Sequence, residues 1–427
     1  MAARLPAPSN SPPPASPLPR NVRVLGLVSL LNDLASEAVY PLLPTFLLEV
    51  LGGSRTQLGL IEGAAESLAS LLKLASGTWS DRLATRKPLV VAGYALATVT
   101  RPLLAWVVWP WQLLALRLVD RVGKGLRTAP RDALLADSVS AGERGRAFGF
   151  QRAMDHLGAA CGPLCATAVL VGWTDNLRWL FLATLIPGVL VLVALVAGLR
   201  EATRDQRSAP VDGGDVATPK SDETRMSTAV RSQEEPHRRP FRWFLAAVLV
   251  FTLGNSSDAF LLVRVRELGV EPLWLPLLWV ALHVVKSAGN LWAGRLVDRH
   301  GARPLLWSGW LVYAAAYLGF ALASTAWQAA TLLMFYGLYY ALTEPAEKQL
   351  VARLAGPAQQ GQAYGWFHLT VGLGALPASW LCGTLYETWG PLAGLGSGAV
   401  MAVVASGLLL PVRLVAEVEQ EDGGDRQ

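Results

Sequence analysis

Residues 117–132 read Arg-Leu-Val-Asp-Arg-Val-Gly-Lys-Gly-Leu-Arg-Thr-Ala-Pro-Arg-Asp, a charged run inside an otherwise apolar chain. On a helix Arg117, Arg121 and Lys124 stand at i, i+4 and i+7 and share one face. Such a row of cations can grip a carboxylate or phosphate, or pair with acids on neighbouring helices. Asp120 is placed to pair with Lys124 one turn on. Gly123 and Gly125 flank that lysine and admit the close approach of another helix or a ligand.

Other polar groups interrupt apolar runs in the same way: Asn32, Asp33, Glu37, Glu66, Lys73, Arg101, Asp155, His156, Asn255, Asp258, His283 and Lys286. A charge at membrane depth is costly unless it faces a partner or a water-filled cavity. Counting about 1.5 Å per residue from Trp111 places Arg117 about 9 Å deep and Arg121 about 15 Å deep. Lys124 and Arg127 then fall at about 20 and 24 Å. Two readings stay open. In one, acids and bases pair across helices, Asp120 with Lys124 or Glu37 with Arg121, and stabilise a bundle. Alternatively the bases hold an anionic solute or exchange acid partners, while Glu37, Glu66 or Asp258 carries protons.

The elements that must position these groups are legible in composition. Of 427 residues 52% are hydrophobic and 16% charged, against about 25% charged in soluble proteins. Mean hydropathy is +0.35. Apolar runs long enough to cross a bilayer as helices are expected at 22–50, 56–79, 88–109, 111–135, 145–172 and 177–199. Six more are expected at 241–266, 272–296, 303–323, 326–352, 361–387 and 391–413. The fourth is too charged to be found by hydropathy alone. The run from Val22 past Leu43 exceeds the 7–15 residues of a signal-peptide core, so it reads as the first membrane span. Trp109, Trp111, Trp173, Trp243, Trp307, Trp327 and Trp389 sit where runs begin or end, as expected of residues that favour the membrane–water interface.

The polar segments between and beyond the runs are expected to be disordered: 1–20, a linker at 201–240 and an acidic tail at 415–427. Lys and Arg gather after the second, fourth, sixth and eighth runs, which predicts that both termini and the linker are cytoplasmic. The sequence pI of about 9.2 does not imply nucleic-acid binding, because the bases lie between apolar runs and not on one soluble module. Cys161, Cys165 and Cys382 lie inside apolar runs with no CxxC pair, and read as small buried residues.

The chain also repeats itself. Gly77, Asp81, Arg82 and Arg86 recur as Gly294, Asp298, Arg299 and Arg303, offset by 217 residues. Gly145-Arg-Ala-Phe-Gly149 parallels Gly361-Gln-Ala-Tyr-Gly365, Pro130 parallels Pro345, and Ser36-Glu37-Ala38 parallels Ser257-Asp258-Ala259 at nearly the same offset. This argues for two six-helix repeats, 21–200 and 241–414. Glu66 and His283 each lie 15 residues before the loop aspartate, so the repeat gives them matching depth.

With these motifs the chain resembles the major facilitator superfamily. That family's loop motif, G-x-x-x-D-[RK]-x-G-[RK]-[RK], follows the second run (Gly77, Asp81, Arg82, Arg86, Lys87) and the eighth (Gly294, Asp298, Arg299, Gly301, Arg303). The first copy departs from it, with Ala84 where the second has Gly301. Gly158-x-x-x-Gly162-Pro163 is similar to the motif of the family's antiporters, with Ala166-Thr167 in place of the usual Gly-Gly. The resemblance implies an all-α polytopic membrane protein of twelve helices in two bundles around a cavity that opens alternately to each side. It also implies a cytoplasmic gate at the loop aspartates and their bases.

The function expected is secondary transport of a small organic solute, coupled to protons, with an anion or metal chelate slightly favoured. Efflux of drugs or metabolites by antiport is the alternative within the class, and a non-transporting membrane sensor the alternative outside it. No nucleophile–base pair, metal cluster or P-loop is apparent, so enzymatic activity, a cofactor and a metal are not expected. The expected partners are the solute, protons and lipid, in a monomer at the plasma membrane, the inner membrane if the source is bacterial.

Overall fold

In the computed structural model the described residues are 17–83, 85–139, 144–201, 235–355 and 360–411. Expectations for 1–16, 202–234 and 412–427 lie outside them. All regular structure among the described residues is helical and groups into twelve principal helices, with short helical pieces adjoining them at 40–50, 104–106, 194–198 and 272–274.

The first half comprises α1 (Arg20–Val39), α2 (Arg55–Arg82), α3 (Lys87–Leu103), α4 (Pro110–Asp137), α5 (Arg144–Gly172) and α6 (Leu177–Ala183, continued by Leu185–Val193). The second comprises α7 (Glu235–Gly254, continued by Ala259–Glu267), α8 (Leu275–His300), α9 (Ala302–Leu322) and α10 (Ala326–Ala355). The last helix, Gln360–Leu409, is broken at Gly390 (φ 81°), which divides it into α11 (360–389) and α12 (391–409). Residues 235–240, assigned to the linker by composition, instead form the first turns of α7.

Seven helices among the described residues are both long and apolar enough to cross a bilayer, the continuous α11–α12 helix counting as one. Among the remaining four, charge dilutes the apolar signal of α1, α2 and α4, and Trp327, Gln328, Tyr336, Tyr339 and Tyr340 dilute that of α10. Between Gly254 and Ala259 the α7 backbone leaves the helix. Broken helices at membrane depth are tolerated where they line a cavity. This break carries Asn255 and Asp258.

Close helix contacts have identifiable causes. A side chain at Gly123 would strike the carbonyl of Gly93, and one at Gly93 would strike that of Gly123, so α3 and α4 meet backbone to backbone. Gly125 faces Leu72 of α2. Gly158 and Gly162 of α5 lie against the carbonyls of Leu30 and Leu34, so this motif serves packing on α1. The loop between α8 and α9 turns at Gly301, whose φ of 84° favours glycine. Trp109, Trp111, Trp173, Trp327 and Trp389 are exposed at one end of the bundles, where an interfacial belt belongs.

The bundles meet along α2 with α11 and α5 with α8. At the end away from the loop motifs they are tied reciprocally. Arg55 Nη2 of the first half lies 2.5 Å from Glu267 Oε1, and the Arg55 backbone N–H donates to Glu387 at 2.8 Å. Arg266 of the second half lies 2.7 Å from Glu49 of the first. Cross-bundle hydrogen bonds among the described residues run from this tie to Ser67, which donates to the Gly372 carbonyl at 2.5 Å.

Candidate functional site

Between the bundles lies a cavity of about 620 Å³. It is lined by α1, α2, α3, α4 and α5 on one side and by α7, α8, α10 and α11 on the other. Lys73, Arg131 and Arg152 on its wall lie nearer the loop-motif end than Ser67 does. The cavity therefore extends from mid-membrane toward that end, away from the ionic tie.

Most predicted site residues converge here: Asn32, Asp33, Glu37, Glu66, Lys73, Arg101, Arg117, Asp120, Arg121, Lys124, Asp155, Asn255, Asp258 and His283 line the cavity. Two do not. His156 is exposed on α5, one residue round from Asp155 and hence about 100° away on the helix. Lys286 sits beside the cavity wall with its Nζ 3.4 Å from the centre of the Tyr340 ring, a cation–π contact.

The charge pairings differ from those predicted. Asp120 does not pair with Lys124; it lies 3.4 Å from Arg101 Nε and 3.6 Å from Arg121 Nη1. Arg101 comes from the adjacent helix α3, and a partner across a tight Gly93–Gly123 contact outcompetes one along the same helix. Glu37 does not pair with Arg121. Its Oε2 accepts from the Trp279 indole N–H at 2.9 Å and lies 3.9 Å from His283 Nε2, both on α8 of the other bundle.

Arg117 is held by Glu62, a residue sequence reasoning passed over. Arg117 Nη2 donates to both carboxylate oxygens at 2.7 and 2.9 Å. The available signal was Glu62 standing one turn from Glu66 on the same face of α2. Arg127 donates to the Gly93 carbonyl at 3.1 Å and lies over the Tyr94 ring at 4.4 Å. Asn32 joins this group through its carbonyl, which accepts from Arg101 at 3.1 Å. Asp155 accepts from Gln151 at 2.8 Å, and Asp33 from Asn32 at 2.8 Å.

On the opposite wall Asp258 accepts from the hydroxyls of Tyr336 at 2.7 Å and Tyr340 at 2.8 Å. The tyrosines belong to an aromatic stack with Tyr313, Tyr317 and Tyr339. Two apolar–polar hybrid side chains thus hold a carboxylate at membrane depth without a cation in contact.

Three cations of the cavity remain incompletely used by the protein. The ammonium groups of Lys73 and Lys124 make no hydrogen bond or ion pair with a described residue. Arg121 Nε is buried without a hydrogen-bond partner, and its contact with Asp120 is long at 3.6 Å. Glu66 lines the same cavity as Lys124, Lys73 and Arg121.

At the loop motifs, Arg86 lies 2.5 Å from Asp137, and the backbone N–H groups of Arg86 and Lys87 donate to Glu201 at 2.8 and 2.7 Å. Arg303 donates to the Leu410 carbonyl, and Arg299 is exposed. Gly77, Asp81, Arg82, Gly294 and Asp298 fall in the last turns of α2 and α8; their side-chain environments lie outside the described residues.

A sequence model of the Major Facilitator Superfamily matches residues 25–379 and again residues 265–426. The chain belongs to the major facilitator superfamily. It is 30% identical over 399 residues to an uncharacterized MFS-type transporter of Methanocaldococcus jannaschii, covering 92% of this chain and 94% of that protein. It is 26% identical over 359 residues to the multidrug resistance protein MdtH of Cronobacter sakazakii, with 82% and 84% covered. In fold it is similar to the D-xylose-proton symporter, with a TM-score of 0.70, 17% identity and 92% and 97% of the two chains covered. Within this superfamily the twelve helices make a multi-pass membrane protein.

Proposed function

We propose that this protein is a secondary transporter that moves a small organic anion, coupled to protons, by alternating access of the interbundle cavity. The observation that carries the anion is the trio Arg121, Lys124 and Lys73. They stand in the cavity with hydrogen-bonding capacity that no described residue takes up. Cations at such depth persist where they face water or a ligand, and a guanidinium with an adjacent ammonium suits a carboxylate, phosphate ester or metal chelate.

The acids supply the coupling. Glu66 beside the same cations competes with an incoming anion for them, so its protonation would release them for the solute. The positive-inside rule puts the loop-motif end in the cytoplasm; on that reading the conformation described is open inward and sealed outward by the Arg55–Glu267 and Arg266–Glu49 ties.

A second reading, efflux of amphipathic compounds, draws on the likeness to MdtH. The charged lining of the cavity weighs against it. Flux of radiolabelled carboxylates, phosphate esters, amines and neutral drugs into proteoliposomes, with and without a pH gradient, separates the two. Saturable anion flux that the gradient stimulates and Arg121→Gln abolishes is expected. Flux of amines or neutral drugs alone would replace the anion reading with the second.

A further inference from the structure

Glu37 and His283 face each other across the two bundles, and among the described residues no other ion pair joins α1 to α8. Both line the cavity. His283 Nε2 lies 3.9 Å from Glu37 Oε2, too far for a hydrogen bond, and is buried without a partner. The same Oε2 already accepts from Trp279 Nε1 at 2.9 Å. The Trp279 and His283 rings lie 5.3 Å apart, and Trp279 also packs on Tyr40 at 5.2 Å. The carboxylate is thus held in place while the imidazole nitrogen beside it has no hydrogen-bond partner among the described residues.

We propose that Glu37 and His283 form the proton-responsive tie between the bundles, tightened when His283 is an imidazolium and loosened when it is neutral. This rests on the proton-coupled reading above and names the groups that couple.

The argument is one of differential contact. Alternating access requires contacts between bundles that exist in one conformation and not in the other, and a proton shifts the equilibrium only if it changes such a contact. Histidine is the side chain whose ordinary titration falls between about pH 5 and 8. An imidazolium would turn the 3.9 Å approach into a charge-assisted hydrogen bond by a small side-chain adjustment. The charged groups bearing on His283 are Glu37 on α1, Asp258 on α7, Lys286 on its own helix and His156 on α5. The two acids attract an imidazolium; Lys286, and His156 when charged, repel it. The repeat supports a role specific to this pair. Asp258, the counterpart of Glu37, is held by tyrosines of its own bundle and makes no tie of this kind.

The test needs no solute. Spin labels are placed at Leu83→Cys and His300→Cys, both exposed near the loop-motif end of opposite bundles. The full chain, with Cys161, Cys165 and Cys382 replaced, is reconstituted in nanodiscs. Interbundle distances are measured from about pH 8 to about pH 5. The long-distance population, open at this end, is expected to rise by about threefold or more as pH falls. Glu37→Gln and His283→Gln should each remove that dependence, Trp279→Phe should keep it, and His283→Lys should hold the open population high at every pH. A pH-dependence that survives both Gln variants, or its absence from the unsubstituted pair, overturns the inference. Gradient-driven flux in proteoliposomes separates this failure from that of the broader reading. Flux that persists in His283→Gln leaves proton coupling standing through another carboxylate and dismisses this tie; gradient-independent flux in the unaltered protein dismisses coupling itself.

Discussion

Arg117 and Glu62 form a two-point contact between α4 and α2, with Arg117 Nε donating to Oε1 at 3.0 Å and Nη2 to both oxygens. Both side chains are about nine-tenths buried. Desolvating two charges offsets much of their attraction, so the pair adds little net stability, yet removing one partner strands the other. Either Glu62→Gln or Arg117→Gln alone should therefore destabilise the protein by about 3–5 kcal/mol, and the double variant should recover most of that loss. Thermal unfolding in detergent reads this directly. Single variants as stable as the parent would mean that Arg117 is available to the solute and not committed to the fold.

The reciprocal tie at the far end is more exposed, with Arg55 and Glu267 side chains 31% and 24% accessible. Each such pair contributes at most about 1 kcal/mol, which suffices to bias an equilibrium between conformations by about fivefold. Arg55→Glu should widen the interbundle distance between labels at Val50→Cys and Trp389→Cys, and Arg55→Glu with Glu267→Arg should narrow it again. An unchanged distance distribution in Arg55→Glu would show that α2–α11 packing alone seals this end.

Much of this arrangement was legible in the sequence because membrane burial makes each interior charge conspicuous. Fourteen of the sixteen polar groups singled out within the apolar runs line the cavity. Pairing was less legible. Asp120 chose Arg101 on α3 over Lys124 on its own helix because Gly93 and Gly123 bring those backbones together, and no one-dimensional spacing reports that approach. Glu37 crossed to α8 for the same reason: its neighbours belong to the other half of the chain. Glu62 is not singled out by spacing because its partner, Arg117, lies on α4, 55 residues further along the chain. His156 fell off the cavity because one residue on a helix is enough to turn away from it.

The loop aspartates give a prediction of another kind. Asp81→Asn should slow transport several-fold while leaving folding and membrane insertion unchanged, because a latch acts on the exchange between states and need not touch the solute. Proteoliposome flux together with monodispersity on size exclusion checks both halves of the statement. Parental flux in Asp81→Asn would assign the motif to topology alone.

The most direct test of the central claim is the charge preference of the cavity itself. Thr128 lines the cavity one turn from Lys124, so Thr128→Cys offers a thiol there without removing a cation. In a background lacking Cys161, Cys165 and Cys382, the thiol is reacted with a sulfonate-bearing and a trimethylammonium-bearing methanethiosulfonate of similar size. Relative to a free thiol, the anionic reagent should react about tenfold faster than the cationic one, with the preference reduced by Lys124→Gln and screened by salt. Faster reaction of the cationic reagent, or no reaction of either with both faces of the membrane exposed, would contradict an aqueous anion-binding cavity at this site.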